Sequence, residues 1–229
     1  MAGQEEIKQT VEIPTAKVSL QGELIVPAKA PGIVVFAHGS GSSRFSPRNQ
    51  AVAAIIRQAG IGTLLFDLLT ADEEAVDIHT RHLRFDIGLL ASRLASAANW
   101  LSTHELTREL KIGFFGASTG GGAALVAAAE LGRRTAAVVS RGGRPDLAGE
   151  ALPRVTAPTL LIVGEFDDVV IELNQQAMAK MNCEKELKIV QRATHLFEER
   201  GALDIVARLA SDWFARYLQS ESRATTVGH

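Results

Sequence analysis

The chain has 229 residues, of which 46% are hydrophobic and 22% charged, and this balance predicts a single globular domain over residues 1–229. A formal net charge of −2 and a pI near 6.3 give no electrostatic case for binding nucleic acid or an anionic membrane. No apolar run approaches the roughly 20 residues of a membrane span, the amino terminus has no signal-peptide pattern, and Cys183 is the only cysteine. We therefore expect a soluble protein of the reducing cytoplasm.

The chain begins with a pattern typical of paired strands and then changes period. Residues 9–26 alternate roughly between apolar and polar side chains and break at Pro14, which predicts an antiparallel hairpin. Short apolar runs typical of strands buried on both faces follow at 32–39, 62–69, 111–117, 135–142, 157–165 and 186–193. Apolar residues at helical spacing lie between them and predict helices at 48–59, 82–102, 120–131, 169–181 and 201–218.

Strands that alternate with helices predict an α/β fold. We expect a mostly parallel sheet of about eight strands, with helices on both faces and an antiparallel hairpin at the amino terminus. The longest irregular stretch, residues 142–157, is too short for a second domain, and its position after a strand favours a loop that overhangs a site.

A cluster of small residues interrupts the pattern where the strand at 111–117 ends. The stretch Gly116-Ala117-Ser118-Thr119-Gly120 fits Gly-x-Ser-x-Gly, the nucleophile elbow. In this strained turn the serine hydroxyl is exposed, and the positions two before and two after it must be small because strand and helix backbones crowd them. The alternative is a tight turn with an incidental serine. A phosphate-binding P-loop is excluded because its Lys-Ser/Thr is absent.

A nucleophilic serine needs a general base, and in such a fold the chain order is Ser, then Asp or Glu, then His. His195 follows the strand at 186–193, and it is the only histidine between Ser118 and the terminal His229. Because parallel strands end at one edge of the sheet, we expect His195 to lie near Ser118 and to act as the base.

Three carboxylates compete for the role of the acid that orients the base. Glu165, Asp167 and Asp168 all follow the strand at 157–165. We favour Asp167, with Asp168 second, and we expect the other aspartate to cap the helix that begins near Val169.

An acyl-transfer site also needs backbone donors for an oxyanion. We assign one to the N–H of Thr119, the residue after the nucleophile, and the other to the N–H of Ser40, with Gly41 as the alternative. Gly39 and Gly41 in the same loop are expected to border the substrate. His38 is interpreted as a structural residue of this loop because it precedes the nucleophile in the chain.

Two arginines lie at the carboxyl end of the strand at 135–142 and are candidates for binding a carboxylate group of the substrate. Arg141 is the better candidate of the two. The alternative for Arg141 and Arg144 is an ion pair with Asp146, Asp167 or Asp168. A further set, Phe45, Leu68 and Leu69, is a candidate apolar pocket.

Several long motifs carry a family resemblance over residues 36–199: FAHGSGSSR, RHLRFDIGLLASRL, GASTGGGAALVAAA, SRGGRPDLA, TLLIVG and THLFEE. With them the chain resembles the dienelactone-hydrolase-type α/β-hydrolases, and most of all a small bacterial branch. The resemblance implies a serine or cysteine nucleophile with His and Asp, no metal and no cofactor. In that branch the acid loop reads Gly-Gly-aromatic-Asp, and residues 164–167 match it except at Glu165, which supports Asp167.

The resemblance also shapes the expected activity. Ser118 stands where the namesake enzymes carry cysteine, which favours hydrolysis of short-chain carboxylic esters or lactones through an acyl-enzyme over dienelactone itself. The alternatives are a lactone- or dienelactone-type hydrolase, an acyltransferase on the same triad, and a non-catalytic protein that binds a small ligand. A nucleotide-binding Rossmann protein is disfavoured because Arg44 occupies the place of the third glycine. Branch members also occur fused to a phosphoribosyltransferase, and we expect no such module in this chain, whose oligomeric state the sequence leaves open.

Overall fold

The structure is a computed structural model and describes residues 5–219. The strands are β1 (Glu6–Pro14), β2 (Ser19–Pro27), β3 (Gly32–Ala37), β4 (Gly62–Phe66), β5 (Lys111–Ala117), β6 (Thr135–Arg141), β7 (Thr159–Gly164) and β8 (Lys185–Val190). The α-helices are α1 (Pro47–Gln58), α2 (Ala71–Thr80), α3 (Ile87–Leu101), α4 (Thr119–Leu131), α5 (Asp168–Lys180) and α6 (Ala202–Leu218). Two 3₁₀ segments, Gly132–Arg134 and Pro145–Arg154, complete the regular elements of this part of the chain.

All eight strands form one sheet in the order β1-β2-β4-β3-β5-β6-β7-β8. β2 pairs antiparallel with both β1 and β4, whereas β3 to β8 run parallel to one another. The predicted α/β architecture, with a mostly parallel sheet and an antiparallel hairpin at its start, is confirmed.

Helices cover both faces of the sheet because its central strands are apolar on both sides. In β3, Ile33 and Val35 join the core beneath α3 and α4, whereas Val34 and Phe36 join the core beneath α1 and α6. Successive side chains of a strand point to opposite faces, so each parallel strand contributes to both cores.

The structure corrects three expectations about the connecting segments. Helix α2 was not predicted because it is polar and buries only Asp77, so its sequence has no apolar period; a capping box between Thr70 and Glu73 stabilises its start instead. Helix α3 begins at Ile87 and not at residue 82, since Asp86 caps it by accepting the N–H of Leu89. The stretch 142–157, predicted to be irregular, contains the 3₁₀ segment Pro145–Arg154, which packs on α4 and α5.

The turn between β5 and α4 brings three backbone segments unusually close together. Ser118 lies there with φ 51° and ψ −121°, outside the regions that non-glycine residues favour. A Cβ atom on Gly120 would lie 2.2 Å from the carbonyl oxygen of Ala37, and one on Gly116 would lie 2.4 Å from the carbonyl oxygen of Gly120. The two glycines therefore let α4 start directly against β3 and β5.

The loop between β3 and α1, residues 38–46, is tied to its surroundings by polar contacts. His38 is buried, its Nδ1–H donates to the carbonyl of Gly39 at 3.0 Å, and its Nε2 accepts the N–H of Leu68 at 3.0 Å. Arg44 donates its backbone N–H to Asp67 at 2.8 Å and forms an ion pair with the same carboxylate. These bonds hold the loop against the end of β4.

We predict that Gly120→Ala strongly destabilises the protein, because its Cβ would overlap backbone carbonyls that cannot rotate away. Overpacking of this kind costs about 1–3 kcal/mol, and contact with backbone places this site at the upper end. Gly88→Ala is the matched control: it lies exposed in α3, and its Cβ would meet only Asp86 at 3.5 Å, so we expect equal or higher stability. Urea unfolding of both variants measures the effect, and an unchanged free energy for Gly120→Ala would contradict the close approach.

We predict that His38 makes stability dependent on pH. Burial lowers the pKa of His38 from its ordinary value, although the bond to Gly39 and the charge of Glu74 oppose this shift. The unfolded chain takes up this proton below about pH 6.5, whereas the folded chain resists it, so the free energy of unfolding falls as pH drops through that value.

His38→Gln removes this titration while its amide oxygen can still accept the N–H of Leu68. Urea unfolding at pH 7, 6 and 5 should give a smaller acid-induced loss for the variant than for the wild type, with a difference of up to about 1.4 kcal/mol per pH unit. The exposed His82→Gln serves as the control and should follow the wild type. Parallel curves for all three proteins would rule out the role of His38.

Candidate active site

His195 and Asp167 meet beyond the carboxyl ends of β7 and β8. The Nδ1–H of His195 donates to Oδ2 of Asp167 over 2.6 Å, and the aspartate side chain is only 15% exposed, against 37% for the histidine. This bond fixes the tautomer that leaves Nε2 as the proton acceptor. The imidazole is therefore oriented by a largely buried carboxylate and is reachable from solvent.

Of the two candidate aspartates, the structure places Asp167 against the histidine and leaves Asp168 exposed. The expectation that the other aspartate caps α5 is wrong. The helix begins at Asp168 itself, and Asp167 stands in the N-cap position without capping the helix through its side chain. Its carboxylate is turned toward His195 instead. Glu165, the third candidate, accepts the N–H of Arg192 at 2.7 Å.

Ser118 and His195 lie on either side of the peptide that follows β6. The N–H of Ser118 donates to the carbonyl of Arg141 at 3.2 Å. The next residue, Gly142, has φ +50°, and a Cβ atom there would lie 3.5 Å from Nδ1 of His195. The serine, the histidine and the aspartate thus gather at one edge of the sheet, as their chain order predicts.

The predicted oxyanion donors lie next to each other beside Ser118. Thr119 opens α4, so its N–H is among the four at a helix start that have no partner within the helix. The N–H of Ser40 donates to Oγ1 of Thr119 at 3.0 Å. A Cβ atom on Gly39 would lie 3.3 Å from Cβ of Ser118, which places the β3–α1 loop directly over the serine.

A cleft of about 690 Å³ opens beside this loop. Its wall includes Gly41, Phe45 and Leu69, and a separate, much smaller pocket is lined by Gly39 and Ser40. Phe45 is 67% exposed at the mouth, whereas Leu68 and Leu69 are buried. The cleft thus adjoins the β3–α1 loop, but its wall includes none of Ser118, Asp167 and His195. Two of the three predicted apolar pocket residues, Phe45 and Leu69, line it.

The two arginines, one at the end of β6 and one just beyond it, have different surroundings. Arg144 forms a two-pronged ion pair with Asp146, with both N–O distances 2.8 Å, which is the alternative stated for it from the sequence. Arg141 is only 7% exposed, and its guanidinium lies 5.9 Å from the ring centre of Phe197. It points into the core beneath α1 and α6, on the face of the sheet opposite Ser140, which packs against α4.

Two features of the site were missed by the sequence analysis. Thr119 was assigned only a backbone role, but its hydroxyl also holds Ser40. Arg84 lies 3.3 Å from the position that a Cβ on Gly41 would take, and it is anchored by the fully buried Asp77. The sequence shows Asp77 and Arg84 as two charged residues in a segment without an apolar period, and this pattern alone does not indicate that they contact each other.

Neither a metal-binding cluster nor a membrane-spanning helix is present in residues 5–219. No group of three or more His, Cys, Asp or Glu side chains there is placed to hold a metal ion. None of the helices described in this range combines the length and the apolar character that crossing a bilayer requires.

The chain is similar in sequence and fold to several known proteins. A crystal structure of a dienelactone hydrolase from Anabaena variabilis ATCC 29413 is 59% identical, with a TM-score of 0.92 over 93% of this chain and 99% of the other. A Pyrococcus furiosus esterase shares the fold at 18% identity, with a TM-score of 0.75 over 93% of this chain and 92% of its own.

Two curated relatives from Mycobacterium tuberculosis, provisionally named phosphoribosyl transferases, are 56% identical over 210 residues. This match takes in 92% of the present chain but only 46% of theirs, so the chain spans about half the length of these relatives. The sequence profile of the dienelactone hydrolase family matches residues 20–220. The chain belongs to the dienelactone hydrolase family and has the fold of the α/β-hydrolases.

Proposed function

We propose that this protein is a serine hydrolase that cleaves carboxylic esters, short-chain esters or lactones, through Ser118, His195 and Asp167. The observation that carries the proposal is the 2.6 Å bond from His195 to Asp167, which leaves Nε2 free at the edge where the strained Ser118 lies. A tight turn with an incidental serine explains neither this bond nor the φ of 51° at Ser118.

The chemistry follows from the roles that these groups can take. Oγ of Ser118 attacks the ester carbonyl while Nε2 of His195 takes the hydroxyl proton, and Asp167 stabilises the imidazolium. The imidazolium then gives this proton to the leaving alcohol, so that an acyl-enzyme remains on Ser118. Water, deprotonated by His195, attacks the acyl carbon, and the acid leaves as Ser118 recovers its proton.

The N–H groups of Thr119 and Ser40 are proposed to stabilise the oxyanion. In the free protein, Oγ1 of Thr119 accepts the N–H of Ser40. A negatively charged oxygen is a stronger acceptor than a neutral hydroxyl, so the developing oxyanion displaces Thr119 from that N–H. Until then, the hydroxyl keeps Ser40 oriented and its N–H satisfied.

The cleft supports a small substrate. We propose that its volume of about 690 Å³ and its partly apolar wall, with Phe45 and Leu69, take the end of a short ester that extends past the β3–α1 loop, since Ser118 and His195 are not part of this wall. Gly39 and Gly41 let the backbone approach that substrate without side chains. The name of the relative from Anabaena variabilis supports a lactone as an alternative substrate on the same triad.

We predict that a fluorophosphonate forms one covalent adduct, on Ser118. Peptide mapping after intact-mass analysis should locate it, and Ser118→Ala should abolish it without loss of fold. Ser46→Ala, which affects a serine that caps α1, is the control and should still be labelled. A folded wild-type protein that forms no adduct would contradict the proposal and favour a non-catalytic ligand-binding protein.

We predict that Asp167→Asn lowers kcat for a p-nitrophenyl ester by about 10⁴-fold, because an amide favours the wrong tautomer of His195. Asp168→Asn alters the adjacent, exposed carboxylate and should leave kcat within about twofold. Steady-state kinetics with matched thermal melts measure both variants. Equal losses, or a larger loss for Asp168→Asn, would show that the acid is misassigned.

A further inference from the structure

Arg141 is a buried cation that has no counterion in the described structure. It is only 7% exposed, and neither its Nε nor its Nη1 has a hydrogen-bond partner in the part of the chain that is described. Buried arginines are normally paired, because an uncompensated charge in the core costs several kcal/mol. Burial, and secondarily the charge of Arg48, lower the pKa of Arg141 to about 10. At neutral pH the guanidinium remains charged.

A second arginine converges on the same place from α1. Arg48 donates to Glu198 at 3.0 Å, while Arg141 contacts the ring of Phe197, the preceding residue. The Nε of Arg48 is also buried and lacks a hydrogen-bond acceptor among residues 5–219. Arg48 stands in the first turn of the twelve-residue α1, which has no acidic side chain, so the positive end of the helix dipole adds to both cations.

We propose that Arg48 and Arg141 form a binding site for a small inorganic anion, with chloride or bromide as typical occupants. The site is separate from the proposed ester-cleaving centre, and it does not depend on that activity. It would supply an acceptor for N–H groups on Arg48 and Arg141 that the described chain leaves without a partner.

The charge balance and the burial of the N–H groups favour a small monovalent anion. Arg48 forms an ion pair with Glu198, whereas no carboxylate among residues 5–219 forms one with Arg141, so one positive charge is left without an ion-pair partner. The unpartnered N–H groups are buried, and Arg141 lies among core residues that include Phe197, Val139 and Ile162. A halide is the smallest probe of such buried N–H groups, and gluconate, a much larger anion, serves as the reference.

The position of the site gives it a structural consequence. It joins the start of α1, the end of β6 and the segment that follows β8. Phe197 lies two residues after His195, and Gly142 directly follows Arg141 and packs on the His195 ring. An anion bound between Arg48 and Arg141 therefore links the start of α1 to the end of β6 and to the segment after β8. The latter two segments lie next to His195.

The test is thermal unfolding at constant ionic strength, with sodium gluconate replaced stepwise by sodium chloride or sodium bromide. The wild type should gain about 2–4 °C in Tm, saturating with anion concentration. Arg141→Met should lose this dependence, and in gluconate it should be at least as stable as the wild type because a buried unpaired charge is gone. Arg108→Met, which alters an exposed arginine elsewhere, should keep the full wild-type response.

A wild type whose Tm is the same in gluconate and in halide would overturn the proposal, as would an Arg141→Met variant that responds like the wild type. If Arg141→Met does not fold, Arg48→Met gives the same comparison from the partly exposed partner. Crystals soaked in bromide provide a direct readout. An anomalous peak between the two guanidinium groups is expected, and its absence at saturating bromide would show that water, not an anion, solvates these N–H groups.

Discussion

The close approach of three backbone segments at the β5–α4 turn is the constraint on which the rest of the site depends. Ser118 can hold its strained φ only because Gly116 and Gly120 let strand and helix backbones pack within a distance that any side chain would prevent. Because α4 is then fixed against β3, the loop after β3 must pass directly over the serine. The positions of Gly39 and Ser40 follow from that packing.

Hydrogen bonds and ion pairs, rather than apolar burial, hold the remaining site residues in place. His38 and Arg44 tie the β3–α1 loop to the end of β4, and Asp167 leaves α5 without a side-chain cap in order to bind His195. An N-cap side chain is worth about 1 kcal/mol to a helix. The fold thus accepts a weaker helix start where the carboxylate is needed at the edge of the sheet.

The sequence predicts the parts of this structure that repeat a pattern and misses those made by single distant contacts. Strands β3 to β7 are apolar on both faces, so their runs stand out, and the glycines around Ser118 identify the turn. Helix α2 has no apolar period, so the sequence pattern does not predict it. The sequence favours Asp167 over Asp168 and the family resemblance supports it, but adjacent carboxylates differ mainly in where the backbone directs them, and that direction is seen only in the structure. The bond between Ser40 and Thr119 joins residues 79 positions apart, and no local signal announces it.

The hydrogen bond from the N–H of Ser40 to the hydroxyl of Thr119 affects how the energy of substrate binding is used. On the proposed mechanism, a neutral substrate carbonyl must compete with an internal acceptor of similar strength, so it gains little from that N–H in the ground state. A fully developed oxyanion forms a much stronger hydrogen bond with the N–H of Ser40 than a neutral carbonyl does. An internal acceptor as strong as a neutral carbonyl cancels what the substrate would gain from this N–H, so the net binding energy from the Ser40 N–H is realised only as the oxyanion forms.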